Sequence, residues 1–208
     1  MDIAHSALLV VDLQNDFCEG GALAVPGGSG IIGIVNALSS RFERVVLSQD
    51  WHPAGHVSFA SSWPGQEPYD TVEAGDIVQI LWPEHCVQGS MGADFHPLLE
   101  TDRASIILRK GFRLGLDSYS CFFENDRTTN TGLDGALRSL AVSELYVVGL
   151  ATDFCVLYTV LDALRLGYGT FAIEDAMRGV DVPPGGASRA LDTMRRSGAS
   201  LIKSEVLL

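Results

Sequence analysis

Cysteine is scarce in this 208-residue chain, and its four copies (Cys18, Cys86, Cys121 and Cys155) form no Cys-x-x-Cys pair. Free thiols in a reducing compartment, the cytoplasm, are therefore expected rather than a disulfide framework. Basic residues are also few. Fourteen Lys and Arg stand against 26 Asp and Glu, leaving a net charge of -12, which excludes nucleic acid and anionic membrane surfaces as natural partners. Long apolar runs are missing too. The opening "MDIAHSALLVVDLQ" lacks a basic leader, and its apolar stretch is too short for a signal peptide or a membrane span. No repeat, low-complexity segment or linker interrupts the chain, so residues 1–208 are expected to form a single domain.

What is present is six short aliphatic runs. They are Ala7 to Val11, Arg44 to Ser48, Ser105 to Leu108, Leu145 to Gly149, Gly169 to Ile173 and Ala199 to Ile202. Each has the length and β-branched or aromatic character of a buried strand. Helical spacing fills the gaps at Gly30 to Phe42, Gly132 to Leu140, Asp153 to Leu166 and Pro184 to Arg196. Alternating strand and helix implies right-handed crossovers and an α/β fold. We expect a doubly wound, mostly parallel sheet of about six strands with helices on both faces. Pro53 to Asp76 is the exception, a long loop rich in Gly, Pro and Ser. Loops of that length inside a compact domain are usually functional.

Chemistry-bearing residues fall at the expected strand ends. "VVDLQNDFCEGG" sets Asp12 directly after the first run, at the sheet edge where α/β proteins bind ligands. "SQDWHPAGH" brings Asp50, His52 and His56 just past the second run, and "LWPEHC" adds His85. Three of the five histidines thus share two segments with a carboxylate, a mixed set suited to Zn²⁺, Fe²⁺ or Mn²⁺ rather than Ca²⁺ or Mg²⁺. "GLATDFCV" puts Cys155 in the first turn of a helix capped by Thr152 or Asp153, where free N–H groups and the helix dipole favour a thiolate. Lys110 follows the third run. A doubly wound sheet gathers Asp12, Lys110 and Cys155 into one crevice, with Asp12 as the proton carrier for a thiol nucleophile.

Taken together, "VVDLQNDFCEGGALAV", "SQDWHPAGHVSF", "LWPEHCVQGSMGADFHP", "RKGF", "DSYSCFFEN" and "GLATDFCV" resemble the nicotinamidases and pyrazinamidases of the isochorismatase-like hydrolase superfamily. The resemblance runs nearly end to end. It implies an isochorismatase-like fold and an amidohydrolase that converts nicotinamide to nicotinate and ammonia through a cysteine thioester, with pyrazinamide as a further substrate. Another small carboxamide is the alternative. Asp12, Lys110 and Cys155 match the catalytic triad. Asp50, His52 and His85 match metal ligands, with His56 a fourth, acting directly or through water. One divalent metal is implied, zinc foremost and iron or manganese otherwise. Phe17 and Trp82 match the ring slot, with Tyr119 beside it. The Leu150–Ala151 bond matches a cis peptide that aims the Ala151 and Cys155 N–H groups at an oxyanion. The resemblance also leaves room for a homo-oligomer.

Overall fold

A computed structural model describes residues 3–208. In chain order the elements are β1 (Ser6–Val11), α1 (Ile32–Ser39), β2 (Val45–Asp50), β3 (Thr71–Ala74), β4 (Ile77–Ile80) and β5 (Ile106–Lys110). Then follow α2 (Leu133–Ser139), β6 (Glu144–Leu150), α3 (Leu157–Arg165), β7 (Gly169–Arg178), α4 (Gly186–Arg196) and β8 (Ser200–Ile202). Six strands pair in the order β5-β2-β1-β6-β7-β8, every pair parallel, with helices on both faces as expected.

The chain crosses from one half of the sheet to the other beside β1, the switch point at which such folds open a crevice. Alternate side chains of β1 enter different cores because successive residues of a strand face opposite sides. Leu8 and Val10 pack with Ile32, Val35 and Leu38 of α1. Ala7, Leu9 and Val11 pack with Leu133 and Leu137 of α2, Val160 and Ala163 of α3, and Ala190 and Met194 of α4. One face therefore carries a single helix and the other carries three.

Register positions the site. Leu8 faces Val45 and Val11 faces Gly149, while Asp50 and Lys110 are cross-strand partners at the final rung of β2 and β5. Both residues are thus the last of their strands, one step inside the loops expected to hold them. They stay in the ladder because β2 is buried along its whole length and β5 ends on the buried Lys110.

Three further expectations are corrected. β7 runs on to Arg178, five residues past the apolar run, across a register shift against β6. There the Asp175 carboxylate accepts hydrogen bonds from Ser204 N–H and Oγ–H at 2.8 and 2.6 Å, which ties the charged stretch to the C-terminal segment. The long loop gives way to an antiparallel β3–β4 hairpin, turning at Gly75-Asp76, whose alternation "TVEAGDIVQI" spans the loop's expected end. Residues Thr152–Val156 form a π-helical turn ahead of α3 rather than its first α-turn. Among the described residues no helix is long and apolar enough to cross a membrane.

Candidate active site

The segment after β1 shows why its polar residues are consecutive. Asp12 leaves the strand with φ 49° and is fully buried. Gln14 locks its amide onto β2, accepting from Asp50 N–H and donating to Asp50 O, both at 2.8 Å, which extends the ladder one side chain beyond the strands. Asn15 donates to Met91 O at 2.7 Å, and Asp16 accepts from Cys86 N–H at 2.7 Å. Only Asp12 points to chemistry. Its neighbours fasten the loops that carry the other groups.

Lys110 is the hub. Its fully buried ammonium lies 2.9 Å from Asp12 Oδ2 and 2.5 Å from Asp50 Oδ1, donates to Ser118 O at 2.9 Å, and reaches Cys155 Sγ at 3.4 Å. Asp12 Oδ1 accepts from Ser48 Oγ–H at 2.6 Å, while Oδ2 meets the Lys110 ammonium. Asp12, Asp50 and Cys155 each bring a heteroatom within 4.8 Å of the others.

The electrostatics amend one expectation. Burial pushes the Cys155 thiol well above its ordinary value, and although Lys110 opposes this, the Asp12 and Asp50 carboxylates reinforce it. The thiol rests neutral. Burial likewise raises Asp12 against the pull of Lys110, with Asp50 adding to the rise, which makes its carboxylate a stronger base. Neither Thr152 nor Asp153 caps the turn that carries Cys155. The turn follows Ala151, whose carbonyl accepts from Phe154 and Val156 N–H at 3.0 and 3.1 Å. The Leu150–Ala151 bond is cis.

A second cluster lies on the other side of Asp50. His52 Nδ1 pairs with Gly111 O and His85 Nδ1 with Pro83 O, both at 2.8 Å. Those carbonyls accept the Nδ1–H, so each ring turns its Nε2 inward, toward Asp50 Oδ2 at 3.7 and 4.0 Å. Burial, together with the His52 charge, pulls His85 down to about 4, leaving a neutral imidazole. Two imidazole nitrogens and a carboxylate oxygen, all within 4.8 Å of one another in one buried pocket, form a donor set that fits a divalent transition metal. His56 is not brought into this trio. Its Nδ1 accepts from Ser58 N–H at 3.3 Å and meets Ser58 Oγ at 2.7 Å, and its Nε2 faces Leu116 O at 3.3 Å. It stacks on His52 with ring centroids 4.2 Å apart, in a second group with Asp117.

Both clusters open on one cavity walled by aromatic side chains. Phe17, Trp82, Tyr119 and Ala151 line it, together with Asp50, His52, His85 and Cys155. Trp82 Nε1–H donates to Tyr119 OH at 3.2 Å, fixing the indole. Four lining residues were not anticipated: Leu23, Asp117, Phe154 and Val180. Phe154 stands edge-on to Trp82 at 4.8 Å, a role its place beside Cys155 could have suggested. Asp117 accepts from Gln79 Nε2–H at 2.8 Å, and although it opens the stretch "DSYSCFFEN", its partner lies 38 positions away in the chain.

A family model described as the Isochorismatase domain matches residues 6–206. The chain belongs to the isochorismatase family. The nicotinamidase of Escherichia coli K12 is 50% identical over 199 residues, covering 94% of this chain and 93% of its own. A nicotinamidase/pyrazinamidase structure from Acinetobacter baumanii is 48% identical, with a TM-score of 0.97 and 100% of both chains covered. The pyrazinamidase of Pyrococcus horikoshii, solved in complex with zinc, is 35% identical with a TM-score of 0.78, covering 96% of this chain and 99% of its own.

Proposed function

We propose that this protein is a nicotinamidase, hydrolysing nicotinamide to nicotinate and ammonia through a thioester on Cys155. The observation that carries the reading is the Lys110 hub, which holds Asp12 beside a buried thiol at the edge of an aromatic cavity. Kinship with nicotinamidases at up to 50% identity over nearly the whole chain supports the substrate.

The pyridine ring enters between Phe17 and Trp82, with Phe154 and Tyr119 closing the slot. Asp50, His52 and His85 would hold a divalent metal, zinc foremost, which would supply a Lewis-acid anchor for the ring nitrogen. The carboxamide then faces Cys155. Because the thiol rests neutral, its proton passes to Asp12 as sulfur attacks the carbonyl carbon. The negative charge moves to the carbonyl oxygen, which takes hydrogen bonds from Ala151 and Cys155 N–H. Asp12 returns its proton to the amide nitrogen, the C–N bond breaks, and ammonia leaves. Water then gives a proton to Asp12 and attacks the thioester, and the C–S bond breaks. Nicotinate departs and the proton returns to Cys155. Lys110 stays charged throughout, its ammonium held well above the ordinary lysine range by Asp12 and Asp50 against the cost of burial.

The test is ammonia release from nicotinamide by metal-loaded protein with hydroxylamine present. Turnover with part of the product appearing as the hydroxamate supports a thioester. Absence of turnover by fully metallated protein rejects nicotinamide and directs the assay to other small carboxamides.

A further inference from the structure

Asp153 sits in the π-helical turn between Ala151 and Cys155, yet its carboxylate turns away from both. Oδ1 accepts from Val180 N–H at 2.9 Å and Oδ2 from Asp181 N–H at 2.8 Å. The segment it grips, just past β7, is folded tightly around it. A Cβ on Gly179 would stand 3.1 Å from Asp153 Oδ1 and 2.6 Å from Ala187 Cβ, and one on Gly186 would stand 3.0 Å from Oδ2. Asp181 in turn accepts from Ala187 N–H at 3.0 Å, fastening the segment to the start of α4.

Two walls of the cavity meet at this carboxylate. The π-turn contributes Ala151, Phe154 and Cys155, and the gripped segment contributes Val180. The turn and the segment leave paired strand ends at Leu150 and Arg178, and Asp153 extends that link by two hydrogen bonds rather than serving as a helix cap. We propose that Asp153 is a positioning residue for the amidase reaction, clamping the Val180 wall to the turn that carries the nucleophile so that the substrate ring is held against Phe154. This rests on the nicotinamidase reading. Both bonds are to a charged acceptor, the stronger class of hydrogen bond, and both hold backbone rather than a flexible side chain.

The experiment compares Asp153→Ala and Asp153→Asn with wild type for nicotinamide turnover, metal content, melting temperature and Cys155 alkylation by iodoacetamide. Loss of the clamp raises KM by about tenfold in Asp153→Ala, the effect of one or two such bonds. Asp153→Asn keeps one acceptor and lies between. Alkylation of Cys155 by a reagent too small to need the wall stays within about twofold of wild type. A purely structural role lowers the melting temperature and the active fraction but leaves KM unmoved, and that result overturns the proposal. If Asp153→Ala does not fold, an unmoved KM in Asp153→Asn overturns it equally. A wild type inactive on nicotinamide overturns the underlying reading and this proposal with it, whereas an active wild type with unmoved KM overturns this proposal alone.

Discussion

Two buried polar clusters flank Asp50, and they differ in kind. On one side Asp12, Lys110 and Cys155 form a proton-transfer group held by charge, with an ammonium within 2.9 Å of two carboxylates and 3.4 Å of a thiol. On the other, His52 and His85 are imidazoles held by hydrogen bonds to backbone carbonyls, which occupy Nδ1 and aim Nε2. Asp50 serves both, giving Oδ1 to Lys110 and Oδ2 to the histidines. A group that moves protons must be able to change charge, while one that holds a metal must not. The fold separates those demands by placing them on opposite oxygens of one carboxylate.

Breaking the charged cluster gives the largest expected effect. Lys110→Met abolishes turnover and leaves Asp12 and Asp50 buried without their cation, a loss of about 3–5 kcal/mol in stability. Urea unfolding beside an ammonia assay checks both parts, and a variant of wild-type stability contradicts the role of Lys110 as hub.

Disturbing the second cluster alone is more selective. Gly111 has φ +64°, and a Cβ there would stand 2.5 Å from His52 Cε1 and 2.8 Å from Nδ1. Gly111→Ala therefore tilts the imidazole and weakens metal binding by about 10–100-fold, the scale seen when a ligand's supporting group is lost. Competition with a chelator measures it, while Cys155 alkylation stays close to wild type. Equal damage to both would show that the clusters are not separable.

The neutral resting thiol gives a smaller, graded signature. Because burial holds Cys155 well above an ordinary thiol, its thiolate fraction at pH 7 to 9 is small and grows with pH. Iodoacetamide alkylation at Cys155 is expected to climb by about tenfold per pH unit through pH 9 without levelling. A plateau below pH 8 would mean a preformed thiolate and remove the need for Asp12 to accept the proton during attack.

The same contrast explains what the sequence reveals. Strands of continuous aliphatic residues between helical patterns leave little choice of fold, and the residues following them, Asp12 and Cys155 among them, land where parallel sheets place their sites. Asp50 and Lys110 are found the same way, although each proves to be the last rung of its strand. Less visible are groups whose meaning depends on partners far along the chain. Asp117 meets Gln79 across 38 positions, Gln14 meets Asp50 across 36, and Asp153 meets Val180 across 27. His56 lies in a different group from the one its spacing suggests, with His52 and Asp117. Its spacing from His52 suggests a shared ligand set, but Ser58 and Leu116 occupy its ring nitrogens.

The central claim is that bond breaking belongs to the Cys155 cluster and holding belongs to the histidine cluster. Ammonia release and metal content measured together on Cys155→Ala test it most directly. The expected result is no turnover with one equivalent of metal retained. A metal-loaded Cys155→Ala variant that still hydrolyses nicotinamide would contradict the covalent scheme, and one that loses its metal would contradict the separation of the two clusters.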